Sequence, residues 1–530
     1  MKSKIAVLGA VLGIFLAIVF GVELACGLQV GTSTPTLNGL AKPQSTGPVR
    51  FSGNQLLVNG QSFIMKGVGY SPIPIGSGWA FDFYGKPEIY NRDFLALRVM
   101  GCNTIRTWTN VTSREFLDAA YNEGDHPIYV IMGFTINPSL DLSSSTVREH
   151  YISEFRDYVS RYKDHPAVLM WAIGNEVNLQ VNGNDNLRAW YSLLNEMARA
   201  AYEVEGSNYH PVTTSNGELA TIGDSSLGSD DASMDYLDAW GIAVYQGGTD
   251  FVGVFSAYQS KSSKPVWVSE YGIDAWDEIS GQEDEDTQAF YDASLWDSIQ
   301  DYYNRGITFG GSLMSYSDEW YKCGNSSSHD TGGYDFPSSP DGFLNEEWWG
   351  IMKILDNGSG PDVIVPRKVY SELRDRWGGI SSSPVLRYGR AIVDNRGGPL
   401  TFTFLVTYSD LDDDAPEYIR VQVNGSTYDM TEENPSDTRY ADGKTYAVSV
   451  DLPPGAYSYH FEASDGVNVI VSEELSTSGS LRGGPSPIVP VLVAVGIVAA
   501  LALLWYLGVL QKILFKSTAS RARPGAKTRR

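Results

Sequence analysis

The chain has 530 residues, a formal charge of −24, 42% hydrophobic residues and 12% aromatic ones. The length calls for more than one domain, and the composition excludes an intrinsically disordered chain. So acidic a protein is not built to bind nucleic acid, and three cysteines supply no disulfide framework.

Lys2 and Lys4 precede an uncharged apolar stretch from Ile5 to Val22. This predicts a secretory signal peptide, or a signal anchor, over residues 1–26. Cys26 follows Glu23 and Leu24, which make no lipobox. Residues 27–48 are rich in Gly, Ser, Thr and Pro and read as a flexible linker.

From 49 to 378 short β-rich runs alternate with longer amphipathic ones. Strands are predicted at 63–71, 103–109, 128–136, 168–176, 211–217, 239–247, 265–272 and 309–317. Helical stretches between them include 145–163, 186–204 and 285–305; Val147, Ile152, Phe155 and Val159 share one face of the first. Eight strands alternating with helices predict a (β/α)8 TIM barrel, an α/β fold. An open doubly wound sheet would carry a glycine-rich phosphate loop after its first strand, and none is present.

Residues 385–475 change texture to short alternating strands, predicting a small all-β, Ig-like sandwich. Within it DLDDDAPE (410–417) lacks the glycine and terminal glutamate of a calcium loop and is read as a solvated acidic turn. A linker over 476–487 leads to 488–510, 23 residues without a charge, long enough for a C-terminal transmembrane helix. Residues 511–530 carry seven Lys or Arg and no acid, which places this tail in the cytoplasm and the barrel outside the cell. Without those seven cations, Lys2, Lys4 and Glu23, residues 24–510 carry −32. Sequons at Asn110, Asn325, Asn357 and Asn424 are compatible with an extracellular location.

In such a barrel the functional residues gather at the C-terminal ends of the strands. The fourth predicted strand ends in Asn175-Glu176 and the seventh in Glu270-Tyr271-Gly272. Three βα units apart, the two glutamates would face each other across the mouth. Glycoside cleavage needs such a pair: one acid protonates the leaving oxygen, and the other attacks the anomeric carbon or activates a water. Arg106 and Trp108 on strand two, Tyr245 at the end of strand six and Tyr316 at strand eight belong to the same rim. The six histidines show no metal-ligand spacing, and Cys102 and Cys323 fall at opposite ends of the barrel.

GNEVN (174–178) and SEYG (269–272) resemble the paired signatures of the retaining clan A glycoside hydrolases. GCNTIRTW (101–108), PVTTSNG (211–217), GGSLMSYSDEW (310–320) and LNEEWWGI (344–351) extend the resemblance over about residues 52–355. Within the clan the chain most resembles the β-1,3-glucanosyltransferases of family 72, and it is also similar to the barrel domain of family 2. The resemblance implies Glu176 as acid/base and Glu270 as nucleophile. It implies that Asn175 binds the sugar 2-hydroxyl, that Tyr245 orients Glu270 and that Arg106 keeps Glu270 ionised. Trp108, Tyr316, Trp320 and Tyr70 would offer faces to sugar rings. The cysteine pairs of the eukaryotic transferases are absent, and Trp108 stands where they usually have tyrosine.

The expectation is thus a membrane-tethered retaining β-glycosidase or transglycosidase acting on a polysaccharide, with no cofactor. An exo-acting β-galactosidase-, glucuronidase- or mannosidase-like enzyme and a non-catalytic glycan-binding surface protein are the alternatives.

Overall fold

The computed structural model describes residues 42–358, 360–395 and 400–480. The predicted signal segment, the transmembrane run 488–510 and the basic tail lie outside the described residues. Among the described residues no helix is long and apolar enough to cross a membrane.

Eight parallel strands close a barrel in chain order: β1 (Met65–Gly69), β2 (Thr104–Arg106), β3 (Tyr129–Phe134), β4 (Val168–Asn175), β5 (Val212–Gly217), β6 (Trp240–Ala243), β7 (Val266–Tyr271) and β8 (Thr308–Leu313). Each of the eight falls on a predicted run, although β6 and β8 each end four residues before the predicted limit. The strands are buried on both faces, as parallel strands walled by helices must be.

Helices α1 (Pro87–Met100), α2 (Arg114–Tyr121), α3 (Ser145–Tyr162), α4 (Gly183–Glu205), α5 (Val252–Gln259), α6 (Glu285–Asn304) and α7 (Lys368–Trp377) surround them. Local chemistry sets their limits. Proline starts α1, where a missing N–H costs nothing, and Gly101 stops it at φ 86°. Asp284 caps α6 by accepting from the Thr287 N–H.

Met65, Ile131, Met170, Ala172, Trp267 and Phe309 belong to a cluster that also takes in Val49, Leu56 and Val58 from the hairpin Val49–Ser52/Gln55–Val58. This apolar packing makes the barrel a filled core rather than a pore. It leaves the strand C-termini as the place where polar side chains converge.

After α7 come two antiparallel sheets. One contains Val385–Asp394, Thr401–Ser409 and Lys444–Asp451; the other contains Tyr418–Val423, Gly455–Ser464 and Leu475–Gly479. Phe402, Phe404, Val406 and Tyr408 face Ile419, Val421, Tyr459 and Phe461 in a core of their own. The last strand runs four residues past the expected limit at 475. The acidic stretch 410–417 is only in part the solvated turn expected of it: Asp414 and Glu417 are exposed, but Asp410 and Asp412 are not. Asp410 and Asp412 are 1% and 3% exposed, because they accept hydrogen bonds from Ser382 in the segment that joins α7 to the sheets.

Candidate active site

The apolar run of β4 from Val168 to Ile173 is buried, and the strand then turns sharply. Gly174 has φ +69°, and a Cβ there would come within 2.8 Å of Val177 and 2.9 Å of Trp190. Glu176 itself is left-handed, at φ 46° and ψ 32°, a sparsely occupied region for a residue with a side chain. Its N–H donates to the Ser215 carbonyl at 2.8 Å, and Gln180 donates to the Asn175 carbonyl at 3.0 Å. A Cβ on Gly217 would approach Glu176 Oε1 to 3.0 Å and Leu179 Cδ1 to 2.3 Å, so glycine at the end of β5 makes room for the acid. Strain held by surrounding structure is characteristic of functional turns.

Glu270, near the end of β7, is 5% exposed and caged by donors from other strands. Arg106 Nη1 donates to Oε1 at 2.6 Å, Trp108 Nε1 donates to the same oxygen at 2.9 Å, and the Tyr245 hydroxyl donates to Oε2 at 2.8 Å. Arg106 also donates to the Asn175 side-chain oxygen, so one guanidinium ties β4 to β7. The guanidinium lies 4.9 Å from the Trp108 ring, a cation–π contact that keeps both planes in place. Beneath them the Ser215 and Ser269 hydroxyls bond across the barrel at 2.7 Å.

The two acids sit in opposite electrostatic environments. Burial, followed by the negative charge of Glu270, pushes the Glu176 carboxyl up to about 8; Arg106 and Lys322 oppose this without cancelling it. Burial also acts to raise Glu270. There the charge of Arg106 and the bonds from Arg106, Trp108 and Tyr245 outweigh it and hold the carboxyl below its usual range. One acid is thus kept protonated and the other ionised at neutral pH.

Residues 49–336, just over half of the chain, match the family model described as glycosyl hydrolases family 2, TIM barrel domain. The chain belongs to family 2 of the glycosyl hydrolases. Its curated relatives include the β-glucuronidase of Mus musculus, 28% identical over 149 residues, covering 28% of this chain and 22% of the relative. The β-glucuronidase of Sus scrofa is 30% identical over 122 residues, 23% of this chain and 18% of the other. The match therefore spans only about a fifth of the length of these relatives. The 1,3-beta-glucanosyltransferase GAS5 of Saccharomyces cerevisiae is 22% identical over 245 residues, 43% of this chain and 49% of that one. Among solved structures, a Bacteroides uniformis β-glucuronidase has a TM-score of 0.45 at 16% identity, covering 82% of this chain and 48% of the other. The family match is thus to the second of the two families that the motifs resemble.

In this family 2 barrel, Arg106, Trp108, Asn175, Tyr245 and Glu270 form one bonded network, with Glu176 beside it. Two of the expected sugar platforms lie elsewhere. Tyr70 and Tyr316 are fully buried, and both donate to Asp93 of α1 at 2.9 Å. The Tyr70 ring packs against Phe83, Phe94, Phe116 and Tyr316, so both tyrosines are core residues. Trp320 is half-buried; it stacks on His329 at 4.6 Å and packs against the barrel core. Asp93 had a readable signal: with Tyr90, Phe94 and Leu97 it shares the apolar face of α1, where a carboxylate needs partners.

Sequence reasoning also passed over Lys322, two residues beyond Trp320, where the strand-eight motif ends. It lies 3.0 Å from Glu319 and 3.0 Å from Glu346, and Tyr334 donates to Glu346 at 3.1 Å. Cys102 and Cys323 are free thiols. Among the described residues no group of three or more His, Cys, Asp or Glu is placed to hold a metal ion.

Proposed function

We propose that the chain is a retaining β-glycosidase working by double displacement, with Glu270 as nucleophile and Glu176 as acid and then base. The opposite settings of these two carboxyls carry this reading. In the first step a Glu270 oxygen bonds to the anomeric carbon. The glycosidic C–O bond breaks, and the Glu176 proton passes to the leaving oxygen. Forming the ester consumes the Glu270 charge, which removes the repulsion acting on Glu176 and lets its pKa fall. Glu176 is then a carboxylate able to take a proton from the water that displaces Glu270. Arg106 and Tyr245 hold the nucleophile ionised and aimed, and Asn175, fixed by Arg106, faces the sugar 2-hydroxyl.

The test is covalent trapping with a 2-deoxy-2-fluoro aryl β-glycoside. Glu270 should carry the label in peptide mass spectrometry, and Glu176→Ala should regain turnover of aryl β-glycosides in azide. Label on another acid, in protein that is active, would reject the assignment.

The relatives named β-glucuronidase support hydrolysis of a β-glycoside. The likeness to a glucanosyltransferase supports a second reading, in which a sugar hydroxyl replaces water and the substrate is a polysaccharide. Products longer than the starting β-glucan oligosaccharide would mean transfer. We also propose that residues 488–510 tether the protein to a membrane with the barrel outside; the uncharged run and the seven cations after it support this. The full chain should pellet with membranes, and a chain ending at 480 should not.

A further inference from the structure

Resting on the glycosidase reading above, we propose that the glycosyl unit bound at Glu176 and Glu270 is an uncharged hexosyl unit, not a uronate, and that Glu346 sets this preference. A uronate brings a carboxylate into the mouth and needs a cation free to receive it, since burying an unpaired charge is costly. The two cations acting most strongly on Glu176 are Arg106 and Lys322. Arg106 is 2% exposed and already bonded to Glu270 and Asn175. Lys322 is held between two carboxylates, each at 3.0 Å, and its side chain is only 15% exposed. Glu319, 3% exposed at the side chain, also accepts from the Tyr321 hydroxyl at 2.6 Å. Lys322 thus has its charge answered twice over.

Glu346 is the more accessible of the two carboxylates, with a side chain 28% exposed. Its loop lies against the nucleophile's support. Trp349 packs on the Tyr245 ring at 5.1 Å, and Tyr245 bonds Glu270. The negative field of Glu346 reaches both Tyr245 and Glu176. The mouth therefore presents a net anionic field beside the acid/base, which repels a second carboxylate and accepts hydroxyls. This sets the chain apart from its relatives named β-glucuronidase.

The experiment compares kcat/KM of the full chain on 4-nitrophenyl β-glucoside, β-galactoside, β-mannoside and β-glucuronide. The best neutral glycoside is expected to exceed the glucuronide by at least about 100-fold, the scale of one badly placed charge. Glu346→Gln should raise the glucuronide-to-neutral ratio at least about tenfold, whatever its absolute rates. Should that variant fail to fold, salt provides the same test on the unaltered protein. Screening like-charge repulsion raises the glucuronide-to-neutral ratio, whereas screening a cation that binds uronate lowers it. A preference for glucuronide, or a ratio that falls with salt, overturns the proposal while leaving the glycosidase reading intact. No turnover of any glycoside together with no covalent label on Glu270 would remove both.

Discussion

Two carboxylate pairs in this molecule have the same electrostatic form. At the barrel mouth Glu176 is pushed up to about 8 and Glu270 is held low. In the sandwich, burial and then the bond with Asp412 push Asp410 up to about 8, while Asp412 is held low against its burial by Asp410 and the Ser382 N–H. The difference lies in where the partners come from. Glu270 is fixed by side chains from the ends of β2 and β6, and Arg106 reaches on to Asn175 of β4. Asp410 and Asp412 stand two residues apart on one turn; both accept from Ser382, and Asp410 also accepts from the Tyr408 hydroxyl at 3.3 Å and from the Asp412 N–H at 3.2 Å. A raised acid beside a lowered one is therefore not in itself a site. Donors converging from distant strands at an open strand end make one; donors from one turn and the joining segment make a fastening.

The comparison breaks most sharply in activity. Glu270→Gln should reduce kcat/KM by about 10⁴-fold or more, with circular dichroism unchanged, because the proposed mechanism has no second nucleophile. Asp412→Asn should leave kcat/KM within about threefold while lowering the melting temperature, because it loosens a buried bond to the joining segment. Equal losses of activity from both would mean that the sandwich pair shares in the chemistry. Next in size, Tyr245→Phe should cost about 10- to 100-fold in kcat/KM. It removes a donor that favours ionised Glu270, so the acid limb of the pH profile should move to higher pH. A lower rate with an unmoved acid limb would give Tyr245 a role in packing alone.

How much of this was readable in the sequence depends on the range of the interaction. The strands of the barrel follow from apolar runs and turn residues, which are local signals. The glutamate pair was legible because each acid ends a buried strand, where a charge is conspicuous. Tyr70 and Tyr316 were misassigned because a buried and an exposed tyrosine look alike until the partner is known, and Asp93 comes from a helix. Lys322 and Glu346 are 24 residues apart in irregular segments, where no periodicity announces a meeting. The burial of Asp410 and Asp412 was missed for the same reason: their partner Ser382 lies in the joining segment, 28 and 30 residues earlier.

The two raised acids also differ in what titrating them does. The rate profile should be bell-shaped, falling on the acid side as Glu270 protonates below its usual range and on the alkaline side near pH 8 as Glu176 loses its proton. Asp410→Asn should leave that alkaline limb in place, since the second raised acid does no chemistry. A limb displaced by about one pH unit in this variant would join the two sites.

The smallest effect is on stability and has a definite sign. The pKa of Asp410 is raised on folding, so its protonated form is favoured in the folded chain. The associated stability is fully present below the usual aspartate range near pH 4 and is lost as pH rises through about 8. Asparagine copies the protonated acid: it can still donate to Asp412 and cannot ionise. Asp410→Asn should therefore match the parent below about pH 4 and gain on it through pH 8, by at least about 1 kcal/mol at pH 9. Chemical denaturation at pH 4 and pH 9 measures the difference. A variant less stable than the parent at pH 9 would mean that ionised Asp410 is what the joining segment needs, and that the fastening works by charge rather than by a shared proton.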